Sequence, residues 1–274
     1  MAKTKAGSWR SRVVSLLTDF GQEGPYPSAM KGVILQICPQ AQIVDVSHLI
    51  PPFNVRYGAF ILAQSAPFFP QGTVHLAVVD PGVGTERRPI VIQTRRFLFV
   101  GPDNGLLSIA AERDGVAYAW EIRNPRYMLD RPSMTFHGRD IFAPVAAHLA
   151  NGLPPEKLGP RLDSFQRLAV SQPHLEGNEV SGEVLLVDHF GNLVTNIEAS
   201  MLQERIRLGE TLAVYMGPSV TQARLLRTYG EAEPGQALVL AGSSGLLEVA
   251  VNRGSAAELF KASAGTPIRL KLLL

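Results

Sequence analysis

The chain has 274 residues, 46% hydrophobic and 18% charged, with 26 basic side chains against 24 acidic ones and a net charge of +2. This is a globular composition, long enough for one large or two modest domains, and it gives no electrostatic reason to expect a nucleic-acid or polyanion partner. The lone cysteine, Cys38, excludes an internal disulfide and a cysteine-based zinc site, and no apolar run approaches the roughly 20 residues that span a bilayer.

The N-terminal basic cluster, Lys3, Lys5, Arg10 and Arg12, reads as a frayed, solvated tail. Val13–Leu17 is too short for a secretory leader and ends in Thr18-Asp19, which points to a cytoplasmic protein. Arg12–Thr18 reads as a strand. Ser28–Ile37 has helical spacing, with Met30, Val33, Ile34 and Ile37 on one face. Cys38 follows Val33, Ile34 and Leu35 and is expected to be a buried thiol. Gln42–Val46 reads as a strand and Val55–Ala66 as a helix broken by Pro67 and Pro70. Thr73–Val79 is a near-continuous apolar strand, typical of a sheet covered on both faces. Ile90–Gln93 and Phe97–Val100 form a candidate strand pair, followed by the turn Gly101-Pro-Asp-Asn-Gly105. Asp140–Leu149 is an amphipathic helix stopping near Gly152. Strands alternating with helices imply a layered, Rossmann-like α/β domain over residues 1–165.

Gly152–Asn178 is richer in Pro and Gly and reads as a crossing between domains. Short β-rich runs follow: Glu183–Val187, Leu193–Ile197, Thr211–Met216, Ala237–Leu240, Leu246–Val251 and Pro267–Leu272. They predict a smaller all-β barrel or sandwich over residues 178–274.

Several loops carry chemistry-bearing groups. Thr18-Asp19-Phe20-Gly21 follows the first strand. A carboxylate there can accept two hydrogen bonds from vicinal hydroxyls, as ribose offers, or cap the next helix. Asp80-Pro-Gly-Val-Gly84 ends an apolar strand, and Arg87 lies seven residues beyond the carboxylate. This is either a reaction centre at a strand tip or a tight turn with a surface arginine. Asp103-Asn104-Gly105 is a turn signature. Thr135-Phe136-His137-Gly138-Arg139-Asp140 opens the last helix of the first domain and places a histidine, able to exchange protons near neutral pH, on a loop. Asp188-His189-Phe190-Gly191-Asn192 supplies an acid, an aromatic face and an amide, suited to an amine, a flat heterocycle and its polar edge; it is equally a hairpin turn. Ser243-Ser244-Gly245 reads as a turn. There is no Gly-x-Gly-x-x-Gly after the first strand, no P-loop and no nucleophile elbow, and the six histidines are scattered, so no metal site is indicated.

The ordered set Leu17-Thr-Asp-Phe-Gly21, Met30-Lys-Gly32, Val79-Asp-Pro-Gly-Val-Gly84, Gly101-Pro-Asp-Asn-Gly-Leu-Leu107, Thr135-Phe-His-Gly-Arg-Asp140 and Phe190-Gly-Asn-Leu-Val-Thr-Asn-Ile197 resembles the S-adenosyl-L-methionine (SAM) hydroxide adenosyltransferases, relatives of the fluorinating and chlorinating SAM enzymes. The resemblance implies an α/β domain followed by a β-barrel. It also implies a homotrimer with SAM held between neighbouring subunits, and hydrolysis of SAM to adenosine and L-methionine with no cofactor. The water-activating Asp, Arg and His of the family fall on Asp80, Arg87 and His137. The ribose-binding acid falls on Asp19, and the acid near the methionine amine on Asp188. The adenine-side aromatic and amide fall on Phe190 and Asn192. Phe53 and Phe136 correspond to aromatics at the ligand. Ser243, Ser244 and Arg253 match the segment contacting the methionine carboxylate and the adenine edge. Relatives often carry an acid next to the tyrosine after Asp19; this chain has Glu23-Gly24-Pro25-Tyr26. Halogenating relatives carry Tyr at position 80 and Ser at position 138, so Asp80 and Gly138 imply water as nucleophile. Halide transfer, or a SAM- or adenosine-binding regulator with little turnover, are the alternatives.

Overall fold

The computed structural model describes residues 11–202 and 205–273; most of the N-terminal basic cluster lies outside them. The chain divides into two units between Leu168 and Ala169.

The first unit contains β1 (Val13–Thr18), α1 (Tyr26–Ile37), β2 (Gln42–Ser47), α2 (Val55–Ser65), β3 (Val74–Val78), β4 (Pro89–Thr94), β5 (Leu98–Pro102), α3 (Ser108–Asp114), β6 (Val116–Glu121) and α4 (Ala143–Ala150). The strands form a six-stranded sheet in the order β2-β1-β3-β5-β4-β6. β1, β2, β3 and β5 are parallel, while β4 runs against both β5 and β6. Side chains alternate across the sheet, as the pleat requires. Val14, Leu16, Val74, Leu76 and Val78 enter the core shared with α1 and α4. Leu17, Ala77 and Val79 enter the opposite core, shared with α2 and α3. The strand order 2-1-3 puts the topological switch point at the C-terminal ends of β1 and β3, where open α/β sheets leave a crevice. Thr18 pairs with Val78, so Asp19 and Asp80 emerge at the same end of adjacent strands.

Helix α1 begins at Tyr26, before the expected Ser28, because Pro27 sits in the first turn, where its missing N–H has no partner to lose. The helix expected over Asp140–Leu149 is two pieces, a π-helical turn over Gly138–Phe142 and α4. Helix α3 and strand β6 carry no clear period: β6 is exposed over its first half and buried over its second. Of the stretch read as a crossing, Leu158 is fully buried, Phe165 and Leu168 pack on the α2–α3 core, and Gln166 N–H donates to Asp103 Oδ1 at 2.7 Å. Cys38 is buried, as expected.

The second unit contains β7 (His174–Glu176), β8 (Glu179–Val187), β9 (Leu193–Glu198), β10 (Thr211–Met216), β11 (Ser219–Leu225), β12 (Ala237–Ala241), β13 (Leu246–Val251), α5 (Ala256–Phe260) and β14 (Pro267–Leu272). Pairing of β14 with β8 closes a seven-stranded barrel, the all-β architecture expected, with β7 added alongside β8. Val184, Leu212, Val214, Val249, Ile268 and Leu270 fill its core. Closure pairs β14 with β8, the edges that an open sheet would expose. Strand β11 escapes sequence reading because Thr221, Gln222 and Arg224 interrupt its apolar residues.

One core residue sets a pH dependence. His75 on β3 is fully buried, stacked on Phe99 with centroids 5.0 Å apart and edge-on to Phe97 at 4.8 Å. Its Nδ1 lies 2.7 Å from the Ser15 hydroxyl. Burial pushes its pKa down to about 3, against the opposing pull of Asp114. The unfolded chain protonates this group near pH 6.5, whereas the folded one resists until about pH 3, so its contribution to stability is lost as pH falls through that window. The slope is about 1.4 kcal/mol per pH unit. Urea unfolding at pH 7.5 and 5.0 is expected to show a stability loss about 2 kcal/mol larger in the wild type than in a Ser15→Ala/His75→Phe double variant. Equal losses would contradict this assignment.

Candidate functional site

The loop after β3 places Asp80 and Arg87 face to face. Arg87 Nε donates to Asp80 Oδ1 at 3.0 Å and to Oδ2 at 2.9 Å, and Nη2 donates to Oδ2 at 2.5 Å. Both side chains are nearly enclosed, with exposures of 10% for Arg87 and 4% for Asp80. The guanidinium carbon also sits 5.1 Å from the centroid of the Phe142 ring. Such a pair is charge-assisted and geometrically fixed.

His137 joins them from a loop fifty residues downstream in sequence. Arg87 Nη2 contacts its Nδ1 at 2.8 Å. A guanidinium only donates, so Nδ1 accepts and the neutral imidazole carries its proton on Nε2. Burial, then the charge of Arg87, lowers the His137 pKa below 6.5; Asp80 and Asp140 oppose but do not cancel this. The group is therefore neutral at pH 7. Arg87 Nη1 is buried and has no hydrogen-bond partner among the described residues, which leaves its two N–H groups uncommitted.

Two local devices bring these loops together. Gly84 has φ +76°, and a Cβ there would lie 2.3 Å from the Met134 carbonyl oxygen. Only glycine permits that approach of the loop after β3 to the segment before His137. Asp140 is the second device. Burial raises its pKa, but hydrogen bonds from Arg139 and from Ser133 outweigh this and hold the carboxylate low. Its bond from Ser133 N–H, at 2.8 Å, pins the 133–140 segment. Asp103, the turn residue after β5, is also structural: it accepts from Arg88 and from the Gln166 amide.

Asp19 does not cap α1, which starts without a side-chain cap. Its Oδ2 accepts from Phe53 N–H at 2.9 Å, across 34 residues. Phe53 holds a left-handed φ of 65°, rare outside glycine, and its ring is 71% exposed. Phe136 packs edge-on to Tyr26 at 5.0 Å and to Phe20 at 5.8 Å. Glu23 is exposed in the loop before Tyr26.

In the barrel unit, Asp188, Phe190 and Asn192 share the β8–β9 turn. Asp188 Oδ1 accepts from the Phe190 and Asn192 amides, both at 2.9 Å, and Oδ2 accepts from Asn192 Nδ2 at 2.9 Å. These bonds form the hairpin turn expected at this segment. Gly191, at φ +83°, lets the turn close on Ser255, whose Oγ a Cβ would meet at 2.2 Å. Arg253, with φ 55°, precedes that contact by two residues. Phe190 is 75% exposed. Ser243 and Ser244 lie in the separate β12–β13 turn.

Sequence reasoning missed Glu248 and Tyr229. The Tyr229 hydroxyl donates to Glu248 Oε2 at 2.8 Å. Burial first, and the charge of Asp188 besides, push Glu248 above the usual carboxylate range although the Tyr229 bond opposes them. A lone acid in an apolar strand gives no sequence signal beyond breaking the pattern. Among the described residues no cluster of three His, Cys, Asp or Glu side chains is placed to hold a metal ion.

Comparison with known proteins bears on this arrangement. The model of the SAM hydroxide adenosyltransferase N-terminal domain matches residues 14–159, and that of the family's C-terminal domain matches residues 182–269. A (R)-S-adenosyl-L-methionine hydrolase of Salinispora arenicola is 44% identical over 260 residues, covering 94% of this chain and 97% of its own. The hydrolase of the same name from Thermus thermophilus is 41% identical, covering 94% and 99%. A fluorinase of Nocardia brasiliensis is 29% identical, covering 96% and 98%. The crystal structure of an uncharacterized conserved protein from Thermotoga maritima superimposes with a TM-score of 0.91 at 42% identity, covering 94% of this chain and 99% of that one.

Proposed function

We infer that this chain, which belongs to the SAM hydroxide adenosyltransferase family, is an enzyme that hydrolyses SAM to adenosine and L-methionine. The observation carrying this reading is the Asp80–Arg87–His137 cluster, built from the loop after β3 and the segment before the π-helical turn. The sulfonium of SAM is already a good leaving group, so the reaction needs no acid to protonate it. Hydroxide is the scarce reactant at neutral pH, and the cluster is built to supply its equivalent.

In our account a water beside the Asp80–Arg87 pair, oriented by His137 Nε2–H, lies in line with C5′ and sulfur. The water oxygen bonds to C5′, the C5′–S bond breaks with its electron pair going to sulfur, and the water proton passes to Asp80 and then to solvent. Asp80 Oδ1 suits that role because it accepts only one bond from Arg87, whereas Oδ2 accepts two. Neutral His137 offers no lone pair, since Nδ1 is engaged and Nε2 is protonated. Arg87 stabilises the charge that develops on oxygen, and fixed placement turns a collision into a bound displacement.

The ribose hydroxyls bind Asp19, and Phe53 and Phe136 pack on the nucleoside. Asp188 takes the methionine amine, Phe190 and Asn192 the adenine, and Ser243, Ser244 and Arg253 the carboxylate and adenine edge. The exposure of Phe53 and Phe190 supports burial against ligand and neighbour, in a homotrimer with shared sites. SAM is the substrate rather than a cofactor. We place the enzyme in the cytoplasm; none of the described helices is long and apolar enough to cross a membrane.

The test is incubation with SAM alone and with added chloride or fluoride. Equimolar adenosine and methionine, unchanged by halide, are expected. A 5′-halo-adenosine would favour halide transfer, for which the fluorinase relatives provide the precedent. SAM bound but uncleaved at stoichiometric enzyme would indicate a binding protein.

The His137 assignment predicts a pH profile. Protonation at Nδ1 would set two donors against each other, so kcat is expected to fall on the acid side with a midpoint below 6.5, the direction of the His137 shift. His137→Asn keeps an acceptor for Arg87 but does not titrate, and should flatten that limb. An unchanged acid limb in the variant would contradict the assignment.

A further inference from the structure

The loops bearing Asp19 and Phe53 are joined by a polar chain that reaches the protein surface. Gly21 N–H donates to the His48 carbonyl at 2.8 Å, and Phe53 N–H donates to Asp19. Beneath these links the Thr18 hydroxyl lies 2.8 Å from His48 Nδ1, both side chains being buried. Phe20 N–H donates to the Thr18 oxygen at 3.3 Å. The hydroxyl proton is then free to point at Nδ1, which places the imidazole proton on Nε2. Nε2 faces Asp45 Oδ1 at 3.1 Å, an electrostatic contact rather than an aligned hydrogen bond. Lys31 Nζ pairs with Asp45 Oδ2 at 2.5 Å.

We propose that His48 is a positioning residue for the ribose subsite, acting through Thr18 to hold the Asp19 loop against the Phe53 loop. The inference rests on the reading of Asp19 as the ribose-binding acid. Its warrant is direction: one imidazole tautomer lets the Thr18 hydroxyl donate to Nδ1 while the Thr18 oxygen accepts from the Phe20 amide, and turns Nε2–H toward the Asp45 carboxylate that Lys31 pairs with. The Phe20 amide belongs to the residue directly after Asp19, so loss of the Thr18 bond frees the backbone that aims the carboxylate. Asp19 Oδ2 is already used by Phe53 N–H, so ribose hydroxyls must meet a carboxylate of fixed orientation. A loosened loop weakens SAM binding without touching the Asp80–Arg87–His137 cluster.

Steady-state hydrolysis of SAM tests this with His48→Ala, His48→Asn, His48→Gln, Thr18→Val and Asp19→Ala. The Oδ1 of Asn can occupy the place of Nδ1, whereas Gln reaches only toward Asp45. His48→Ala, His48→Gln and Thr18→Val are expected to raise KM about tenfold, the scale of one lost hydrogen bond, with kcat within about twofold. His48→Asn should recover most of the loss, and the Thr18→Val/His48→Ala pair should be no worse than either single change. If His48→Ala does not fold, Thr18→Val carries the comparison with Asp19→Ala. A wild-type KM in Thr18→Val, a loss confined to kcat, or no recovery with Asn would overturn the proposal while an elevated KM in Asp19→Ala leaves the ribose reading intact. A wild-type KM in Asp19→Ala would overturn both.

Discussion

Asp80→Asn is expected to slow SAM hydrolysis by about a thousandfold or more while changing the SAM dissociation constant by less than about threefold. The asparagine keeps the size of the carboxylate and one oxygen acceptor, so the loop after β3 retains its shape. It removes the group we propose takes the water proton, and with it an acid–base contribution that commonly reaches about 10² to 10⁴ in rate. It also leaves Arg87 as an uncompensated cation in a site where its own exposure is 10%. That charge still attracts a developing hydroxide, so the loss comes from proton transfer rather than from oxygen stabilisation. Asp80→Ala should show a rate loss at least as large, with some loss of stability besides. Equal falls in affinity and rate would show that Asp80 serves binding instead.

Arg87→Met should cost both rate and stability. The guanidinium bonds to both Asp80 and His137 and so joins them. Without it the 4%-exposed Asp80 carboxylate is buried and unpaired, which costs about 3–5 kcal/mol. The rate loss is again about a thousandfold, the scale of removing one preorganised donor from a developing oxyanion. Arg87→Lys does not repair it, because a compact ammonium cannot reproduce the fork that bridges both partners. The two effects separate in the double variant Asp80→Asn/Arg87→Met. It should recover most of the thermal stability lost in Arg87→Met but none of the activity. A double variant no more stable than Arg87→Met would mean that the pair is not coupled as its geometry requires.

How far these groups are legible in sequence depends on how they are joined. Asp80 and Arg87 lie in one loop, seven residues apart, so an apolar strand ending in a carboxylate exposes both at once. His137 comes from a loop fifty residues away, and no spacing rule links it to Arg87. Only the family resemblance pairs them in the sequence; the physical link is the close approach of Gly84 to Met134. Asp19 and Phe53 meet through a main-chain N–H, which carries no side-chain signature, and the left-handed backbone at Phe53 is not readable from a phenylalanine. The parallel strands β1 and β3 are visible because both faces are covered and their residues are almost all apolar. Strand β11 is not, because polar residues break its pattern. Glu248 stayed hidden for a related reason: one acid within an apolar strand reads as an outward-facing residue, and only its bond to Tyr229 and its nearness to Asp188 single it out.

A single turnover in ¹⁸O-labelled water, followed by mass spectrometry of both products, reports whether a water activated between Asp80, Arg87 and His137 attacks C5′ of SAM. One heavy oxygen is expected in adenosine, at the 5′ position, and none in methionine. Adenosine without the label, or methionine carrying it, would rule out attack of water on C5′.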